Sequence, residues 1–155
     1  DCYSPLEVLK NFKVEKHNYR TSQSYMKEKV ATTIKLSELY FDESKTYLKS
    51  IDVVITTGGT GLTGRDITPE ALEQVADKHI PGFGEIFRNI SLKTVGTSAI
   101  QSRASAVLAN GKYVFALPGS SGGVTDAWDG ILKYQLDINH KPCNFVELFP
   151  RLKEK

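Results

Sequence analysis

The residues best suited to chemistry lie in two glycine-rich stretches. The first is Gly58, Gly59, Thr60 and Gly61, followed by Thr63, Arg65 and Asp66. The second is Pro118, Gly119, Ser120, Ser121, Gly122 and Gly123. Glycines let a backbone turn sharply and approach a ligand. N–H groups gathered in such a loop, next to a helix start, bind phosphate or carboxylate. Thr57, Thr60 and Thr63 add hydroxyl donors. The plain alternative for one such loop is a tight strand-to-helix turn with no ligand, and a second loop of the same kind weakens that alternative. Neither stretch has the Gly-Lys-Ser/Thr ending of a P-loop, and neither matches the dinucleotide fingerprint.

Asp66 is the odd residue. An acid close to bound phosphate is repelled unless a cation sits between them, and magnesium held by one or two carboxylates plus phosphate oxygens fills that role. On spacing alone, an ordinary cap or turn acid is the commoner reading. Arg65 and Arg103 can meet phosphate or lie on the surface, and Glu85 reads equally as a helix-start acid. His17, His79 and His140 are scattered, and Trp128 reads as core.

The elements that must position these residues follow from pattern. Ile51 to Thr57 is a short buried-type strand bounded by glycines. In "ITPEALEQVADKH", Thr68 is the expected N-cap and Pro69 the first helical residue, with Leu72, Val75 and Ala76 as the buried stripe. "IPGFG" is expected to stop that helix and "EIFRNISL" to form another. Asn110-Gly111 between alternating segments predicts a hairpin. A helix is expected in "VTDAWDGILKYQL", then an irregular tail running over the surface. Upstream, "SPLEVLKNF" suits a short helix, "VATTIKLSELYF" suits a strand up to about Leu36 although Leu36, Leu39 and Tyr40 also fit a helical stripe, and "DESKTYLKS" suits a helix capped by Asp42. The order strand, glycine loop, helix, hairpin, glycine loop, helix predicts an α/β domain with helices covering a sheet. Both glycine loops then lie where open sheets of this type bind ligands, beyond the carboxyl ends of strands.

The totals bound the class. A chain of 155 residues suits one domain, residues 1–155, with a sizeable core. A net charge of +2 argues against nucleic acid or a membrane surface as partner. Cys2 and Cys143 fit no metal spacing and read as free thiols in a reducing cytoplasm. No apolar run approaches the roughly 20 residues of a membrane span, and no export signal is recognisable. A cytoplasmic location is expected.

The segments "DVVITTGGTGLTGRDITPEA", "IPGFGEIFR", "GTSAIQSRA", "LPGSSGG" and "KPCNFVELFPRL", in that order, resemble the MoaB/Mog family of molybdenum-cofactor biosynthesis proteins, and the MoaB branch in particular. The resemblance covers about 51–155. It implies a three-layer α/β sandwich on a mainly parallel sheet with one antiparallel strand and helices on both faces. It further implies homotrimers or homohexamers, a molybdopterin pocket, and transfer of AMP from ATP to the molybdopterin phosphate with Mg²⁺. Residue by residue, it assigns ligand binding to Gly58, Gly59, Thr60, Gly61, Thr68, Glu85, Pro118, Gly119 and Ser120, and catalysis with magnesium to Asp66. Glu70 and Ala71 complete the first motif. The family's usual opening strand and Ser-Gly helix start are not found in residues 1–50, which bears on catalysis more than on fold. Two alternatives remain beside the enzyme: a molybdopterin carrier without turnover, and a structural oligomer.

Overall fold

The computed structural model describes residues 52–154. The two helices and the strand read in residues 1–50 lie outside them, as do Cys2 and His17.

Four strands form one sheet. They are β1 (Val53–Thr57), β2 (Lys78–His79), β3 (Ser105–Ala109) and β4 (Lys112–Leu117), in the spatial order β1-β4-β3-β2. β1 pairs with β4 in parallel, from Val53 opposite Tyr113 to Thr57 opposite Leu117. β3 pairs antiparallel with both β4 and β2. The sheet is therefore mixed by pairing, yet β1, β2 and β4 run in one direction and β3 alone is reversed. Among the described residues this bears out the α/β sheet, and its parallel character in part.

Side chains alternate between the two faces, as a pleated strand requires. On one face Val54, Val107, Ala109, Val114 and Ala116 pack with Ala71, Leu72 and Val75 of helix α1 (Thr68–Val75). On the other, Val53, Ala106, Leu108, Tyr113, Phe115 and Leu117 meet Phe83 and Phe87 of α2 (Pro81–Val95). Ala127 of α3 (Ser121–Ala127) and Ile131 and Leu132 just beyond it join that face. Helices thus cover both sides. β4 is central and buried from both, with Val114, Phe115 and Ala116 at 0% exposure. Burying a side chain such as Phe115 contributes about 1.5–3 kcal/mol.

The predicted hairpin is present. Asn110 and Gly111 take φ of 49° and 69°, the two positive values that a type I′ turn needs. Asp77 Oδ2 also accepts the Asn110 N–H at 2.5 Å.

Several local expectations are corrected. Thr68 does not cap α1; it lies inside the helix, and its hydroxyl donates to Gly58 O at 2.8 Å. Helix α1 ends at Val75, and the edge strand β2 takes up Lys78 and His79. "IPGFG" stops nothing, because Pro81 opens α2, a position where a missing N–H is harmless. Gly84 is needed there, since a Cβ would stand 2.7 Å from Ala104 O. The last predicted helix is continuous but contains a π turn at Trp128–Leu132, and Trp128 is only half-buried. The tail is a 3₁₀ turn, Val146–Arg151, and is not purely superficial. Phe145, Phe149 and Leu152 pack on the core, and Asn144 is 3% exposed with bonds to Ile138 O and His140 O.

Candidate functional site

Because β1 and β4 are parallel neighbours in register, their carboxyl ends put the two glycine loops side by side. Gly58 N donates to Leu117 O at 2.9 Å, extending the ladder by one bond. A Cβ on Gly119 would lie 3.3 Å from Gly58 Cα, so the two backbones touch with no side chain between them. Gly58 and Gly59 have φ of 95° and 67°, values that only glycine adopts freely.

Gly59 is required by its own fold as much as by any ligand. A Cβ there would stand 2.4 Å from Thr68 Oγ1. The loop start is tied to α1 through Thr68, whose N–H donates to Gly59 O at 3.0 Å and whose hydroxyl donates to Gly58 O. Thr60 is buried, and its carbonyl accepts the Arg103 N–H at 2.8 Å.

Asp66 folds back over the loop. Its Oδ2 accepts from Thr63 Oγ1 at 2.6 Å and from Thr63 N at 2.9 Å. Gly61 makes room for this, since a Cβ there would be 2.8 Å from the same oxygen. The Thr63 hydroxyl, then its N–H, hold the Asp66 carboxyl below the usual carboxylate range, and the Arg103 charge adds to this. Both Thr63 bonds end on Oδ2 and leave Oδ1 to other partners.

Arg103 is the residue whose role the sequence did not reveal. Its Nε donates to Gly61 O at 2.7 Å, and its terminal nitrogens reach Asp66 O and the Glu70 carboxylate. This lowers the Glu70 pKa, the Arg103 hydrogen bond being the main cause. Arg103 therefore turns inward and is not an open phosphate ligand, whereas Arg65 is exposed. A signal for the Thr63–Asp66 turn was present in their spacing of three residues; no spacing links Arg103 to its partners.

The second loop is simpler. Ser120 caps α3, its Oγ accepting the Gly123 N–H at 3.2 Å, and Gly119 and Ser120 are exposed. Pro118 packs under this turn, where a Cβ on Gly123 would come within 3.0 Å of it. Glu85 forms no hydrogen bond with either loop. It is exposed one turn into α2 and makes no hydrogen bond to another described residue, although the start of α2 lies at the same end of the sheet. The hydrogen bonds and close backbone contacts thus link Gly58, Gly59, Thr60, Gly61, Asp66, Thr68, Pro118, Gly119 and Ser120, and Glu85 is not among the residues so linked.

Among the described residues no group of three or more His, Cys, Asp or Glu side chains can hold a metal ion. No helix among them is long and apolar enough to cross a membrane. Cys143 is a free, exposed thiol.

The family model described as "Probable molybdopterin binding domain" matches residues 29–137. Molybdenum cofactor biosynthesis protein B of Escherichia coli K12 is 48% identical over 104 residues, 67% of this chain and 59% of that protein. The protein of the same name from Staphylococcus aureus Mu50 is 44% identical over 111 residues, 71% of this chain and 62% of that protein. This chain thus spans about six tenths of the length of these curated relatives. A crystal structure of a molybdenum cofactor biosynthesis protein B superposes with a TM-score of 0.58 at 41% identity, covering 69% of this chain and 62% of that one. The tungsten cofactor synthesizing protein MoaB of Pyrococcus furiosus gives 0.51 at 43% identity, covering 55% and 56%. With the matched segments folded around the paired glycine loops, the chain belongs to the MoaB/Mog family of molybdenum-cofactor biosynthesis proteins.

Proposed function

We propose that this protein acts in molybdenum-cofactor biosynthesis by adenylylating molybdopterin with Mg-ATP. The observation that carries the reading is the contact of the Gly58 and Gly119 backbones at the ends of β1 and β4, with Asp66 folded over the first loop. Two glycine loops then meet at one end of the sheet, which suits two phosphate-bearing substrates held side by side.

In the proposed reaction a terminal phosphate oxygen of molybdopterin attacks the α-phosphorus of ATP. The bond from that phosphorus to the bridging oxygen breaks, and pyrophosphate leaves. The chain's work is positioning and charge neutralisation, as in other phosphoryl transfers. Gly59 and Thr60 offer backbone N–H groups on one side and Gly119 and Ser120 on the other, while Gly58 and Gly61, whose own N–H groups serve Leu117 O and the Asp66 carboxylate, keep the approach free of side chains. Arg65 is the exposed cation of the first loop. Asp66 fits magnesium: it stays ionised, it offers hard oxygen, and its Oδ1 is not taken by Thr63. A single carboxylate suffices where phosphate oxygens complete the shell, which agrees with the lack of a larger acidic cluster among the described residues. Magnesium bound there would offset the charge built up on the phosphates.

Self-association is part of the reading. Ile86, Leu92, Val95 and Ile100 are exposed at 52–83%, a density of apolar surface that favours a homo-oligomer. A carrier role without turnover is the second reading, favoured by the Thr63 bonds that let Asp66 serve simply as a turn residue. Mixing the protein with molybdopterin and Mg-ATP and assaying adenylylated pterin and pyrophosphate separates the two. Tight pterin binding without either product supports the carrier and sinks the enzyme.

A further inference from the structure

The loop from Gly58 to Asp66 has two halves with different anchors. The first half is held by α1: Thr68 binds Gly58 O and Gly59 O. The second half has little of its own. Leu62 is 67% exposed, and Thr63, Gly64 and Arg65 are exposed as well. The Asp66 N–H and its carboxylate both bond to Thr63, which lies on the same exposed segment. Those bonds shape the segment but fix it to nothing else. Among the described residues, the hydrogen bonds that tie Gly61 and Asp66 to a distant part of the chain come from Arg103, at Gly61 O and Asp66 O. Arg103 N–H adds a third bond at Thr60 O. Glu70, in the first turn of α1, receives the remaining arm of the guanidinium and balances its charge.

We propose that Arg103 is a positioning residue of this site, whose planar fork locks the segment from Gly61 to Asp66 against the body of the protein and so sets where the Asp66 carboxylate stands. A guanidinium reaches three separated oxygens because its donors diverge in one rigid plane, which an ammonium cannot reproduce. The charge of Arg103 faces Glu70 and two carbonyls, so the fork acts through geometry. For its kinetic consequence the inference rests on the adenylylation reading; for its structural consequence it does not. A misplacement of about 1 Å at a reacting site lowers rate by about 10²-fold, which sets the scale expected for loss of the fork.

The test compares Arg103→Lys and Arg103→Gln with the full chain. Residue-resolved amide exchange is expected to quicken by about tenfold or more at Gly61–Asp66, with the β1 and β4 amides unchanged, a local opening confined to the loop. With Mg-ATP and molybdopterin, kcat is expected to fall by about 10²-fold in both variants while KM for molybdopterin stays within about threefold. Added to either variant, Asp66→Asn is expected to cost far less than it does alone, since both act through one carboxylate. Wild-type kcat in the lysine variant overturns the proposal, because charge without the fork would then suffice. Loss of protection spread equally through β1 and β4, or rate losses that simply multiply with Asp66→Asn, overturns it too. If the wild-type protein makes no adenylylated pterin, the functional reading falls and exchange alone decides: loop-confined opening supports the clamp, and unchanged protection overturns it.

Discussion

Two of the turns that place glycine at positive φ, at Gly58–Gly61 and at Asn110–Gly111, are built in opposite ways. The Asn110–Gly111 turn joins adjacent strands of a hairpin, and its geometry follows from the dipeptide and the strand twist. Its neighbours are forgiving: a Cβ on Gly111 would meet the flexible stem of Lys153. The Gly58–Gly61 loop joins a strand to a helix. Its glycines face fixed atoms, namely Thr68 Oγ1, the Asp66 carboxylate and, across the gap, the Gly119 backbone. One turn is a local solution to chain reversal. The other is a tertiary construction, and that is the one that carries candidate chemistry.

Substitutions sharpen this contrast. Gly59→Val has the largest expected effect, since a β-branched residue at φ 67° is strained and its Cβ collides with Thr68 Oγ1. A destabilisation of about 3 kcal/mol is expected, together with loss of molybdopterin binding, read by urea unfolding and calorimetry. Unchanged pterin affinity would remove the loop from the site.

Asp66→Asn comes next. Adenylyl transfer at saturating Mg-ATP is expected to fall by about two orders of magnitude, with pterin affinity changed little. Equal turnover in the two proteins would reduce Asp66 to a turn residue like Asp77, which braces the hairpin through Asn110.

Gly111→Ala breaks the comparison from the other side. A destabilisation of about 1–2 kcal/mol is expected from the left-handed backbone alone, with pterin binding intact. A binding defect here would show that the two ends of the sheet are coupled.

The smallest effect concerns Glu70. Its pKa is lowered in the folded state, so the stability it contributes is present above its unfolded value and is lost as pH falls through the lowered folded one. The Glu70–Arg103 pair is partly exposed, so solvent screening limits this to about 0–1 kcal/mol. Urea midpoints of wild type and Glu70→Gln are expected to differ slightly at neutral pH and to converge in acid. A gap that persists in acid would assign Glu70 a packing role instead.

Much of this was legible beforehand, for identifiable reasons. The strand at Val53–Thr57 announced itself by β-branched residues ending in glycine, and the hairpin by Asn110-Gly111. Helix boundaries were less legible because the same residue types act differently by context. Thr68 has the chemistry of a cap but spends its hydroxyl on Gly58 O, ten residues back. Gly84 looks like a breaker but lets α2 approach the Ala104 carbonyl. Glu85 sits in a matching motif and yet makes no hydrogen bond to either loop.

The sequence by itself determined the alternation that divides β1, β3 and β4 between two faces, the turn at Asn110–Gly111, and the glycine positions that side chains could not occupy. These are consequences of steric rules acting within a few residues. The tertiary structure alone decided that β1 lies beside β4, that Gly58 therefore meets Gly119, and that Arg103 reaches across to Gly61, Asp66 and Glu70. Those pairings join residues tens of positions apart, where neither local propensity nor spacing carries information, and only the packing of both faces of the sheet selects the partner.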